Sequence, residues 1–248
     1  MVWDPASRRA VIIDAALDLE PQSGRRAMQM AERPVEIARV EGLTVDWLLE
    51  THAHANDVTA LPYRKGVFNA PTAIGERINE VQERFAWLFN LGDDFPVDGS
   101  QFDYRFADGA TSAVTELPVQ VLHTPGAPHG VDITYVVSDT VFVGDTLSMA
   151  DADAARCDLL AGSARELYRS IQRLFDALPD SHRLFVLHDY GTGDRPARPP
   201  SVSSVPAIFT WVGTPARRIT SLRARPAMPR CPCPYLSRPP CRLIFAPA

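Results

Sequence analysis

Short apolar runs, each ending in a polar residue that can do chemistry, constrain this chain more than any other feature. "RAVIID" (Arg9–Asp14) is rich in β-branched residues and stops at an acid. "VDWLLETHAH" (Val45–His54), "VLH" (ending at His123), "FVGDT" (around Asp145) and "RLFVLHDYG" (Arg183–Gly191) repeat the pattern. Such runs read as buried strands. Four of the six histidines and Asp145 follow the last four of these runs, and sites in layered α/β proteins form at strand ends. A single histidine on a strand is more often a hydrogen-bonded core residue than a ligand; four such clusters in one chain point to a site.

Helical segments alternate with these strands. Residues 25–41 space Met, Ala, Val and Ile between charges, as an amphipathic helix does. "APTAIGERINEVQERFAWLFN" (Ala70–Asn90) reads as a short strand and then a helix with Ile78, Val81, Phe85 and Leu88 on one face. "ARELYRSIQRLFDALPD" (Ala164–Asp180) aligns Leu167, Ile171, Leu174 and Leu178, and Pro179 ends it. The stretch "DGSQFDYRFADGATSAVTELPVQVLHTPG" reads as hairpin material with Asp-Gly turns, and "DITYVVSDTVFVGDTL" (Asp132–Leu147) as two strands about a Ser-Asp turn. Residues 2–190 are therefore expected to form two packed sheets flanked by helices.

The character changes near Asp194, the last acidic residue. Twelve of the 22 prolines lie in residues 196–247, and nine arginines follow without Lys, Asp or Glu. The expected division is a globular domain over 1–193 and a basic Pro/Arg-rich tail over 194–248. That tail has too little apolar periodicity to offset its ordering entropy. A net charge of −5 argues against nucleic-acid binding by the whole chain. The sequence has no apolar run long enough for a membrane span and no leader-like start, so a cytoplasmic location is expected. Cys231, Cys233 and Cys241 crowd the tail without a nearby histidine, a poor zinc set, while Cys157 reads as a small buried hydrophobe.

"THAHAND", "HTPG", "GDTL" and "HDY", in that order, resemble the metallo-β-lactamase superfamily. "DGSQFD", "ARCD" and "LYRSIQRLF" are similar to its persulfide dioxygenase branch and to relatives described as β-lactamase-like hydrolases. The resemblance implies an α+β fold, a four-layer αββα sandwich with a metal at one rim; this chain begins one strand late. Di-zinc members use His-x-His-x-Asp-His, but here Asn56 and Asp57 stand at the last two positions, which damages the second metal site. The dioxygenase branch implies one Fe(II) held by His52, His123 and Asp145. His54, His188 and Asp57 would be orienting residues or alternative ligands. Arg156 would pair with a substrate carboxylate, unless it only bridges to Asp158, and Tyr190 would donate to bound sulfur or oxygen. The implied partners are glutathione persulfide and O₂, and the resemblance allows a homodimer. A zinc hydrolase of thioesters or lactones, and an inactive member binding a thiol or a protein, remain as alternatives.

Overall fold

The computed structural model describes residues 1–20, 23–54, 58–113, 118–128, 130–148, 155, 157 and 161–188. The tail, together with Asn56, Asp57, Arg156 and Tyr190, lies outside the described residues. In chain order the first half runs β1 (Val2–Trp3), β2 (Arg9–Ile13), β3 (Ala16–Glu20), β4 (Arg25–Ala27), α1 (Gln29–Glu41), β5 (Thr44–Leu49) and β6 (Val58–Thr59). Then come α2 (Leu61–Phe68), β7 (Thr72–Gly75), α3 (Ile78–Phe89), β8 (Tyr104–Phe106), β9 (Thr111–Ala113) and β10 (Pro118–His123). The described chain closes with β11 (Ile133–Val137), β12 (Thr140–Phe142), α4 (Ala164–Ala177) and β13 (Arg183–Phe185).

Two five-stranded sheets result, ordered β1-β2-β5-β7-β8 and β13-β12-β11-β10-β9, with a small β4-β3-β6 sheet beside them. Side chains alternate across each strand, so each sheet offers two apolar faces. On the first sheet Ala10, Ile12 and Leu48 face Ala31 and Ala38 of α1 and Leu61 of α2. Their neighbours Val11, Ile13 and Leu49 face the other way, onto Val119, Val121, Ile133 and Tyr135 of the second sheet. The outer face of that sheet, with Leu122, Val136, Val141 and Leu184, is covered by Leu167, Ile171 and Leu174 of α4. The layers are thus helix, sheet, sheet, helix: the αββα sandwich of an α+β protein.

Helix α4 shows how the sequence sets an element. Ser163 caps it, its hydroxyl accepting from the Glu166 N–H at 3.3 Å, and Ser-x-x-Glu is the capping-box spacing. Its buried stripe of Leu167, Ile171 and Leu174 follows the helical period. A Cβ on Gly126, at φ +120°, would lie 2.1 Å from the Leu167 backbone nitrogen. Only glycine allows the "HTPG" loop to press against the helix there. Ser170 reinforces the contact by donating to the Pro125 carbonyl at 2.7 Å.

Two expectations are corrected. The helix expected over 25–41 starts only at Gln29, because Arg25–Ala27 pairs antiparallel with Asp18–Glu20 through a turn at Gly24 (φ +68°). The Asp108-Gly109 turn does not close a hairpin: β8 before it pairs with β7 in the first sheet, and β9 after it pairs with β10 in the second. It is a crossing between sheets. The Ser138-Asp139 turn does join an antiparallel pair, β11 and β12, with Ser138 left-handed at φ 55°. Among the described residues no helix is long and apolar enough to cross a membrane.

Candidate metal centre

The rim where both sheets end collects the polar residues. Parallel pairing sets Ile13 opposite Leu49, so Asp14 and Glu50 emerge side by side, and the Asp14 N–H donates to the Leu49 carbonyl at 2.9 Å. Beyond Glu50 the chain delivers Thr51, His52 and His54. From the second sheet Asp132 precedes β11, Asp145 sits in a 3₁₀ turn (Gly144–Thr146) after β12, and His188 follows β13. The Ile133 N–H donates to the Thr51 carbonyl at 3.0 Å and the Tyr135 hydroxyl to the Glu50 carbonyl at 3.1 Å, bolting the two rims together. Gly144 (φ +53°) lets the Asp145 turn come close, since a Cβ there would meet Thr51 Oγ1 at 2.6 Å.

His52 is 3% exposed. Its Nε2 lies 3.5 Å from Asp145 Oδ2, and His188 Nε2 lies 3.6 Å from Asp145 Oδ1. The carboxylate therefore presents one oxygen to each imidazole. Donors about 2.1 Å from a tetrahedral cation are about 3.4 Å apart, so these edges are of the size a cation sets. Two imidazoles with a carboxylate suit iron or zinc. Asp132 adds a second sign: it is fully buried, among the described residues neither carboxylate oxygen has a hydrogen-bond partner, and His52 Nδ1 lies 3.9 Å from Oδ1. Burial, aided by the charge of Asp145, pushes its pKa up to about 8. A buried carboxylate without a donor is costly, and a nearby cation relieves that cost.

His54 belongs to a neighbouring cluster. Its Nε2 is 2.6 Å from Glu50 Oε2 and 3.5 Å from Asp14 Oδ1, and Thr59 donates to Glu50 Oε1 at 2.6 Å. Burial opposes charge on His54, but Glu50 and Asp14 outweigh it and hold the imidazole well above its ordinary pKa. Among the described residues, Asp14, Glu50 and His54 are the group whose three ligand atoms all lie within 4.8 Å of one another, so it could hold a metal ion; His52, Asp145 and His188 do not close to that limit together.

His123 ends β10 opposite Ile133. It shares a face with Val119 and Val121, the face turned toward the first sheet, and its Nε2 sits 3.4 Å from the Phe106 carbonyl. The Asp108 carboxylate takes its backbone N–H at 2.8 Å. The two-residue period of β10 thus turns the ring to the inner face of the second sheet. Arg156, Tyr190 and Asp57 lie outside the described residues. Cys157 is half-buried against the α4 core, in keeping with a small hydrophobe. Asp14, Glu50, Thr51 and Asp132 carried no role in the sequence reading, although the acid ending "VIID" marked Asp14 as a strand-end residue.

The description "metallo-beta-lactamase superfamily" belongs to the family model that matches residues 2–180. A probable metallo-hydrolase of Burkholderia pseudomallei is 40% identical over 205 residues, covering 79% of this chain and 69% of that protein. The mitochondrial persulfide dioxygenase ETHE1 of Bos taurus is 24% identical, covering 77% of this chain and 63% of its own length. Among solved structures, ETHE1 from Myxococcus xanthus superposes with a TM-score of 0.61 at 26% identity, over 82% of this chain and 73% of that one.

Proposed function

The chain belongs to the metallo-β-lactamase superfamily, a family of metalloenzymes, and from that premise we propose that it is a mononuclear iron persulfide dioxygenase. The reaction is glutathione persulfide with O₂ and water giving sulfite and glutathione, catalysed by the domain of residues 1–193. The supporting observation is the Asp145 carboxylate flanked by the imidazoles of His52 and His188, a two-histidine, one-carboxylate set. We take these three as the ligand set in preference to His52, His123 and Asp145, because the His123 Nε2 lies against the Phe106 carbonyl. Iron, when bound, supplies the redox chemistry with O₂ that no side chain offers.

The chain's own groups do the rest. Asp145 offsets the cation's charge, and buried His52 and Asp132 keep the inner side dry, which strengthens electrostatic contacts there. Arg156 orients substrate by pairing with a carboxylate of the glutathione moiety, and Tyr190 donates a hydrogen bond to the sulfur or an oxygen. A zinc hydrolase is the second reading. His52, Asp145 and His188 would equally hold zinc, which would supply an activated water, and the Burkholderia relative is named a metallo-hydrolase.

Oxygen uptake by iron-loaded protein given glutathione persulfide decides between them. The dioxygenase consumes O₂ in step with sulfite release. No uptake, with thioester cleavage by zinc-loaded protein, establishes the hydrolase instead.

A further inference from the structure

We infer that Asp14 and Thr51 are positioning residues: a hydrogen-bond relay from Asp14 through the Thr51 hydroxyl fixes the His52 tautomer, placing the lone pair on Nε2 toward Asp145. This rests on the metal-centre reading above for its purpose, and on hydrogen-bond chemistry alone for its existence.

The Thr51 hydroxyl has one proton to give. Asp14 takes the Thr51 backbone N–H on Oδ1 at 2.7 Å, and its two oxygens lie 3.1 and 2.9 Å from Thr51 Oγ1. A carboxylate is an acceptor only, so the hydroxyl proton goes to Asp14. His52 Nδ1 is 2.9 Å from the same Oγ1. With its proton already given, that oxygen can only accept, so Nδ1 carries the hydrogen and Nε2 the lone pair. Nε2 is the nitrogen 3.5 Å from Asp145 Oδ2. A lone pair aimed at a carboxylate oxygen is an arrangement that a metal ion completes.

The local backbone is shaped for this. Asp14 adopts φ 50°, rare for a residue other than glycine though least costly for Asp and Asn, and that turn brings its carboxylate back over Thr51. Gly144 packs close beside Thr51: a Cβ there would lie 2.6 Å from Thr51 Oγ1 and 3.0 Å from its Cβ. Ligand histidines commonly have their second nitrogen fixed by a carboxylate or carbonyl; here a hydroxyl passes the carboxylate's demand on by one step.

Nitrogen-15 NMR of histidine-labelled, metal-free protein reads the tautomer directly, with His52→Asn assigning the signal. His52 is expected as the Nδ1–H form in wild type and in Thr51→Ser. Thr51→Val, which removes the acceptor, should shift the signal toward a tautomer mixture, and Asp14→Asn, whose amide can donate to Oγ1, toward Nε2–H. Cobalt(II) affinity should fall by about 10–100-fold in Thr51→Val and recover in Thr51→Ser, the range known for outer partners of metal ligands. Thermal melting identifies any variant that misfolds, and the wild-type tautomer remains decisive in that event. An Nε2–H tautomer in wild type, or a Thr51→Val protein with unchanged tautomer, overturns the relay. If the tautomers behave as expected but wild type takes up no cobalt, the relay stands and the metal-centre reading fails.

Discussion

Metal-free Asp132→Asn protein is expected to gain stability over wild type as pH rises from about 4 to about 8, by an amount on the order of 5 kcal/mol. Asp132 is fully buried, and burial followed by the Asp145 charge raises its folded-state pKa to about 8. In the unfolded chain an aspartate titrates near 3.9. Below that value both states are protonated and the group has no effect. Between the two values the unfolded chain releases its proton while the folded one keeps it, so folding loses stability as pH climbs, and the loss levels off above about 8. The gap of about four pH units, at 1.36 kcal/mol per unit, sets the size. Asparagine cannot ionise. Its unpaired amide costs about 1–3 kcal/mol, but equally at every pH. Urea denaturation of both proteins from pH 4 to 9 should therefore give curves that diverge. Parallel curves would mean that Asp132 is solvated or paired.

The second large effect separates the histidines. His52→Ala and Asp145→Ala should each weaken metal binding by more than about 100-fold, since outer partners alone are worth 10–100-fold. His123→Ala should leave affinity within about threefold, a change below 1 kcal/mol, because its Nε2 lies against the Phe106 carbonyl and Asp145 takes the metal between His52 and His188 in the proposed set. Chelator-competition titrations measure all three. A collapse of affinity in His123→Ala would show that the strand turns this ring toward the metal.

These residues also show what the sequence could and could not reveal. The helix over Ala164–Ala177 was legible because Leu167, Ile171, Leu174 and Leu178 keep a 3.6-residue period and Pro179 follows them. His52 and Asp145 were legible as strand-end residues with family motifs around them. The direction of His123 was not: "VLH" alternates whichever sheet covers either face, so facing is decided by tertiary packing. Asp132 was hidden for a similar reason. An aspartate before an apolar run reads as a turn residue, and only the closing of the two rims buries it. The charged Arg25–Ala27 strand has no apolar alternation, and its pairing with Asp18–Glu20 comes from the Gly24 turn. Asp108-Gly109 shows that turn chemistry gives a reversal without saying which sheet receives the next strand.

The most direct test is the metal content of the full chain produced in iron-supplemented cells, measured by elemental analysis for wild type and Asp145→Ala side by side. Roughly one iron per wild-type chain and almost none in the variant is the result expected of a mononuclear two-histidine, one-carboxylate centre. Wild-type protein without metal, or equal metal in both proteins, would contradict a centre built on Asp145.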